Sequence, residues 1–174
     1  MPQTVQPRIG LPKELRVGLL KPAEFKQAVG SFTTGVTVVT TWDADGVRHA
    51  LTANSFTSVS LDPPLVLFCV DHRAPSLKGF RTSGHFAVNV LSAEQRDVAM
   101  QFARPAPDKF AGLPWRRGVF GAPLLDGCIA YIECTTEHRY DAGDHDIFLG
   151  RVHRVRVRDG KPLIFHRSRF LDEN

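Results

Sequence analysis

A mainly β fold, a closed or split β-barrel with peripheral helices, is what this sequence predicts, and three observations carry the prediction. About six or seven stretches are rich in β-branched and aromatic residues or alternate polar with apolar, the period of a strand. Most follow one another across short turns, which sets neighbours antiparallel and excludes a parallel doubly wound sheet. Only two or three segments carry helical spacing.

Residues 1–20 hold Pro2, Pro7 and Pro12 without sustained periodicity and read as an extended or mobile N-terminal arm, suited to wrapping a partner subunit; residues 21–174 are the domain. The first helix is expected near Pro22, because proline's missing N–H costs nothing in a first turn. Phe25, Ala28, Val29 and Phe32 give it one apolar face. Val36–Trp42 is a strand ending at the hairpin turn Asp43-Ala44-Asp45-Gly46, and Val47–Ser60 returns as a second strand running into a loop. After Pro63-Pro64, the continuous apolar run Leu65–Val70 predicts a strand buried on both faces. Ser76–Thr82 is a short helix stopped at Gly84, His85–Leu91 a strand, and Ser92 the cap of a helix reaching about Phe102. Residues 103–123, with four prolines and three glycines, form a long ordered loop. Gly127–Tyr140 and Asp146–Arg158 are two long strands joined through Gly143-Asp144, and Asp159-Gly160 turns the chain into Leu163-Ile164-Phe165.

The 174 residues suit one domain, and 43% apolar with 23% charged residues is globular composition. The longest apolar run, Leu65–Val70, is far short of the ~20 residues of a membrane helix, and no secretory pattern opens the sequence. Cys69, Cys128 and Cys134 lie in apolar stretches without a CxxC pair, which excludes a disulfide scaffold or zinc ribbon and fits a reducing cytoplasm. A net charge of +4, spread along the chain, suits small anionic ligands and argues against nucleic acid. The Arg154, Arg156 and Arg158 stripe reads as a solvated strand edge, and Trp42 and Trp115 as packing anchors.

Hydroxyl and amide side chains concentrate in Thr52-Ala53-Asn54-Ser55-Phe56-Thr57-Ser58-Val59-Ser60. Two readings stand: a loop whose hydroxyls cap their own backbone, or a strand end offering donors to a planar heteroaromatic ring or a phosphate. Neither GxGxxG nor GxxxxGK[ST] occurs, so a nucleotide would have to be held by other means. His145 follows Gly143-Asp144 at a tight connection. It is either a turn histidine or a site residue, and the metal reading lacks HxxxH or HxH spacing.

Six segments in order carry a resemblance covering about Phe25 to Phe170. They are Phe32–Thr41, Thr52–Leu65, His85–Leu91, Asp108-Lys109-Phe110, Gly143-Asp144-His145 and Pro162-Leu163-Ile164-Phe165. Together they resemble the short-chain flavin reductases, the reductase components of two-component flavin-dependent monooxygenases. The resemblance implies a split β-barrel homodimer that binds FMN or FAD near the subunit interface, takes hydride from NADH or NADPH, and passes reduced flavin to a separate monooxygenase. It implies that the segment opening at Thr52 lines the flavin, with Asn54, Ser55, Phe56 and Thr57 along the isoalloxazine edge and Thr37 beside the ring. Ser60 and Ser76 would lie near the ribityl or phosphate end, with Arg73 or Lys78 balancing charge. Lys109 and Phe110 would approach the flavin on a loop, the other reading of Phe110 being a core anchor. His145 would be the catalytic histidine at the nicotinamide site. The family's closing tyrosine–arginine–glycine–x–tyrosine is here His166-Arg167-Ser168-Arg169-Phe170, so Arg167 is kept and both tyrosines are replaced. A non-enzymatic flavin- or haem-binding barrel and a flavin-dependent ferric reductase are the alternatives.

Overall fold

A computed structural model of the chain describes residues 20–171; nearly all of the expected N-terminal arm lies outside them. Helix α1 (Pro22–Gly30) starts on its proline as expected. A short β1 (Thr34–Gly35) precedes β2 (Thr37–Trp42) and β3 (Arg48–Ala53), then β4 (Thr57–Leu61) and β5 (Pro64–Asp71). Helix α2 (Leu77–Ser83) leads to β6 (His85–Val90), and a 3₁₀ turn at Ala93–Gln95 leads to α3 (Arg96–Ala103). β7 (Trp115–Arg117) and β8 (Pro123–Leu125) form a small hairpin inside the segment expected to be loop. The long strands β9 (Ala130–Ala142) and β10 (His145–Val157) precede β11 (Ile164–His166) and β12 (Arg169–Leu171).

Seven strands form the main sheet in the order β3-β2-β6-β9-β10-β5-β4, every neighbouring pair antiparallel. β3 and β4 stand at opposite ends of that order, yet only Asn54-Ser55-Phe56 separates them. Laid flat, seven strands would set them about 29 Å apart, whereas the connection reaches at most about 14 Å. The sheet must therefore curl until its first and last strands come close, and no ladder joins them. The barrel is split rather than closed. The single strand expected over Val47–Ser60 is corrected to two, because Asn54 to Phe56 leave one sheet edge and join the other.

Both faces of the sheet are packed. Val38 of β2 joins one core with Phe102, Phe110, Leu124 and Tyr131, while Val39 joins a second with Phe68, Phe80, Phe86 and Phe148. The run over Leu65–Val70 is fully buried on one face only, through Val66, Phe68 and Val70; Leu65, Leu67 and Cys69 are half-buried. Trp42 and Trp115 pack edge to face with centroids 5.7 Å apart. β10 pairs with both β5 and β9 as far as Arg151 and with β9 alone beyond it, which leaves Arg154, Arg156 and Arg158 on an exposed edge. The apolar face of α1 does not turn into the core: Phe25 is 56% exposed, Val29 52% and Phe32, just after the helix, 77%.

Candidate active site

Three stretches of chain meet where the barrel splits. The first is the end of edge strand β3. There the Thr37 hydroxyl donates to Ala53 O at 2.8 Å, and the Thr52 hydroxyl donates to Ala99 O of α3 at 2.6 Å. Beyond Ala53, Ser55 Oγ accepts from Cys69 N–H at 3.0 Å and donates to Cys69 O at 3.4 Å, and Phe56 packs on the second core. Asn54 is left exposed at the strand's end.

The second stretch is the turn after β5. His72 N–H donates to Asp144 O at 2.9 Å, which locks this turn to the one between β9 and β10. Ser76, at the head of α2, is 5% exposed, and its hydroxyl has no hydrogen-bond partner among the described residues. The same turn pair sets His145 at the start of β10, opposite Asp71. A carboxylate only accepts, so the 2.7 Å contact with Asp144 places the proton on His145 Nδ1 and leaves Nε2 open.

The third stretch is the loop after α3. Gln101 fixes it by donating to Lys109 O and Ala111 O at 2.9 and 3.0 Å. Lys109 Nζ donates to Phe102 O at 2.8 Å and Ala50 O at 3.3 Å, and burial holds its ammonium below the ordinary lysine value.

These stretches enclose a cleft of about 320 Å³ that brings together six of the expected residues: Thr52, Asn54, Ser55, Ser76, Lys109 and His145. The walls between them are apolar, from Leu51, Ala53, Ala74, Pro75 and Phe102. Apolar walls with a few fixed donors suit a planar ligand carrying negative charge. No serine or cysteine here is paired with a base: the Ser55 hydroxyl is spent on main chain, and burial pushes the Cys69 thiol up.

The other expected residues are not brought to this cleft. Thr37 is buried with its hydroxyl spent on Ala53, so it shapes the strand end rather than facing a ring. Phe56 faces the second core. Thr57 and Ser60 lie on β4, the opposite sheet edge, next to a bulge between Ser58 and Ser60. Arg73 closes on Asp71 two residues earlier, at 2.7 and 3.1 Å, and holds that carboxyl well below the usual range. Lys78 is exposed on α2 outside the cleft. Phe110 is the core anchor of its two readings: 4% exposed, its ring 5.0 Å from Phe102 and 6.2 Å from Trp115. Arg167 lines an adjacent depression of about 370 Å³ with Asn54 and Ser55. It and Ser168 hold φ of 47° and 62°, the paired left-handed residues of a tight hairpin turn between β11 and β12.

Sequence reasoning missed Asp71 as a cleft residue and Asp146 behind it. Asp146 is fully buried and accepts from Arg81 at 2.8 and 3.1 Å, Arg139 at 3.0 Å and His72 at 3.1 Å. These contacts tie α2 and the turn after β5 to β10, and so set the distance between Ser76 and His145. The three donors come from three separate elements, so no local pattern could have flagged the carboxylate.

Residues 29–173 match the model of the flavin reductase like domain. The chain belongs to the flavin reductase-like family. It is 41% identical over 152 residues to the reductase subunit of a flavin-dependent monooxygenase from Rhodococcus jostii, covering 87% of this chain and 77% of that one. It is 48% identical over 132 residues to the reductase component of the flavin-dependent trigonelline monooxygenase of Acinetobacter baylyi, covering 76% of this chain but only 43% of that longer protein. Among solved structures, an NADH:FAD oxidoreductase of Streptomyces globisporus, in complex with NAD and FAD fragments, superposes with a TM-score of 0.83 at 39% identity, covering 91% of this chain and 98% of that one. The cleft fits the ligand class of this family. An orphaned buried hydroxyl at Ser76 and a half-buried ammonium at Lys109 are what a ribityl or phosphate group would satisfy.

Proposed function

We infer that this chain is an NAD(P)H-dependent flavin reductase that supplies reduced flavin to a separate monooxygenase component. One observation carries the reading: the polar end of β3, the unpartnered Ser76 hydroxyl, Lys109 and His145 converge on one cleft that has no protein nucleophile. Bound flavin supplies the redox chemistry, accepting hydride from a nicotinamide, and the residues of this chain bind, orient and exclude water. Asn54 offers an amide to the flavin's polar edge, Ser76 and Lys109 take its ribityl-phosphate end, and the apolar walls keep water from the ring. His145, held by Asp144, presents Nε2 to the nicotinamide side. NADH is the expected donor, in keeping with the Streptomyces relative.

The test is flavin-dependent NADH oxidation in air by the purified chain, well above a protein-free control. His145→Ala is expected to lower kcat/KM for NADH by about tenfold or more while flavin affinity stays within about twofold. Equal rates for the variant and the parent would remove His145 from the site.

The chain is also read as a homodimer. The exposed apolar row of Phe25, Val29 and Phe32 at α1, and the unpaired edge of β10 beyond Arg151, are surfaces a second copy would cover. Light scattering is expected to give twice the 19.3 kDa chain mass, and a monomer at micromolar concentration would overturn it. The three unpaired cysteines support a cytoplasmic setting. No helix among the described residues is long and apolar enough to cross a membrane.

A further inference from the structure

We propose that the open end of the β9–β10 hairpin, remote from the flavin cleft, docks an acidic segment of the monooxygenase component; the proposal rests on the reductase reading above. Three arginines converge there on a depression of about 410 Å³. Arg116 comes from β7, Arg156 from the end of β10 and Arg158 from just past it. Tyr131 of β9, Asp126 and Val157 complete the lining.

Strand register fixes the face on which these side chains lie. Arg154 stands opposite Glu133 and Arg156 opposite Tyr131, so both arginines share the Tyr131 face. Val155 stands opposite Ile132, which packs on the second core, and belongs to the other face. A second copy seated on the β10 edge meets Val155 and Val157, 59% and 79% exposed, and leaves the arginine face open.

A guard on a strand edge needs charges along that strand alone. Here Arg116 reaches in from a separate hairpin and lies over the Tyr131 ring, 5.1 Å from its centroid. That ring is fixed in turn, its hydroxyl donating to Leu125 O at 2.7 Å, and Arg158 N–H donates to Ile129 O at 2.8 Å. Arg48, Arg73, Arg81, Arg139 and Arg151 each form an ion pair, whereas Arg116, Arg154, Arg156 and Arg158 form none among the described residues. Glu133, on the same face, is buried and accepts from Val119 N–H.

Positioned guanidiniums without a counter-charge are suited to carboxylates, which they can take bidentately. Asp126 in the same depression repels a continuous polyphosphate but suits a polypeptide, whose backbone and basic side chains offer it donors. The location also fits the reaction. From His145 at the cleft to Arg156 is about 36 Å along an extended strand. Docking there raises the concentration of the monooxygenase around departing reduced flavin without covering the mouth of the cleft.

The experiment follows the fluorescence anisotropy of a labelled deca-glutamate peptide titrated with the purified chain at low salt. The parent is expected to bind, and Arg156→Glu to weaken binding about tenfold or more. Arg156→Lys keeps the charge and should stay within about threefold of the parent. Lys78→Glu, on the exposed face of α2, makes the same change in net charge elsewhere and should also stay within about threefold. Flavin-dependent NADH oxidation by Arg156→Glu should match the parent within about twofold. Four results would overturn the docking surface: no peptide binding by the parent, equal losses in Arg156→Glu and Lys78→Glu, tighter binding of a DNA duplex of equal charge, or lost turnover in Arg156→Glu. Absence of flavin-dependent NADH oxidation by the parent, with peptide binding intact, would instead overturn the reductase reading and the identity of the partner with it.

Discussion

Replacing Phe68 by alanine is expected to cost about 3–5 kcal/mol of folding free energy, the range for emptying a large aromatic site in a packed core. Phe68 is completely buried at the centre of four phenylalanines, with ring centroids 4.9 Å to Phe86, 5.3 Å to Phe148 and 5.4 Å to Phe80. These rings come from β5, β6, β10 and α2, so the cluster holds together elements far apart in the chain. The pleat limits collapse into the cavity, since Val66 and Val70 on the same face already fill their own positions. Phe68→Leu, which keeps most of the volume, should cost about 1–2 kcal/mol. Urea denaturation of the parent and both variants measures this. A Phe68→Ala loss below 1 kcal/mol would mean that the cluster is not a central packing unit.

Asp146→Asn is expected to cost about 2–3 kcal/mol at neutral pH. The amide keeps the carboxylate's shape but gives up the charge that gathers Arg81, Arg139 and His72. The cost stays below that of a fully buried pair because the Arg81 and Arg139 side chains are 41% and 47% exposed and regain water when released. The pH dependence follows from the guanidinium of Arg81 first, then from Arg139 and His72, which hold the Asp146 carboxyl at about 2 against an ordinary 3.8. A lowered folded-state pKa means that the stabilisation is complete above the ordinary value and is lost as pH falls through the folded one. The gap between parent and variant should therefore be constant above about pH 5 and close between about pH 4 and pH 2. Melting temperatures over that range test it; a gap that does not change with pH would show that Asp146 acts by packing alone. Since the same contacts hold Ser76 and His145 in place, flavin affinity should fall in the variant at neutral pH.

Much of the fold was legible because its signals are local. Pro22 opened α1, Ser92 began the turn into α3, the Gly143-Asp144 turn joined the two long strands, and the antiparallel order followed from short connections. The polar Asn54-Ser55 stretch was legible as a cluster of donors, though not as the break between β3 and β4. The residues that do not line the cleft are of a different kind. Thr37, Thr57, Ser60 and Lys78 have the right chemistry, but the pleat, the crossing from β3 to β4 and the outer face of α2 direct them elsewhere. Phe110 sits beside Lys109 in sequence, and successive side chains of that loop point to opposite sides, one to the cleft and one to the core.

The sequence by itself determined the class of the fold, most of its elements in order and the polar segment that reaches the cleft. Hydrophobic period, turn residues and helix-start residues act within a few positions of one another, so one strand of text contains them. Only the tertiary structure decided that the barrel is split, that Ser76 is buried without a partner among the described residues, that Lys109 and His145 reach one cleft, and that Asp146 collects three donors from three elements. Burial and charge partnership depend on which distant segments the curled sheet brings together, and a local pattern does not encode that distance.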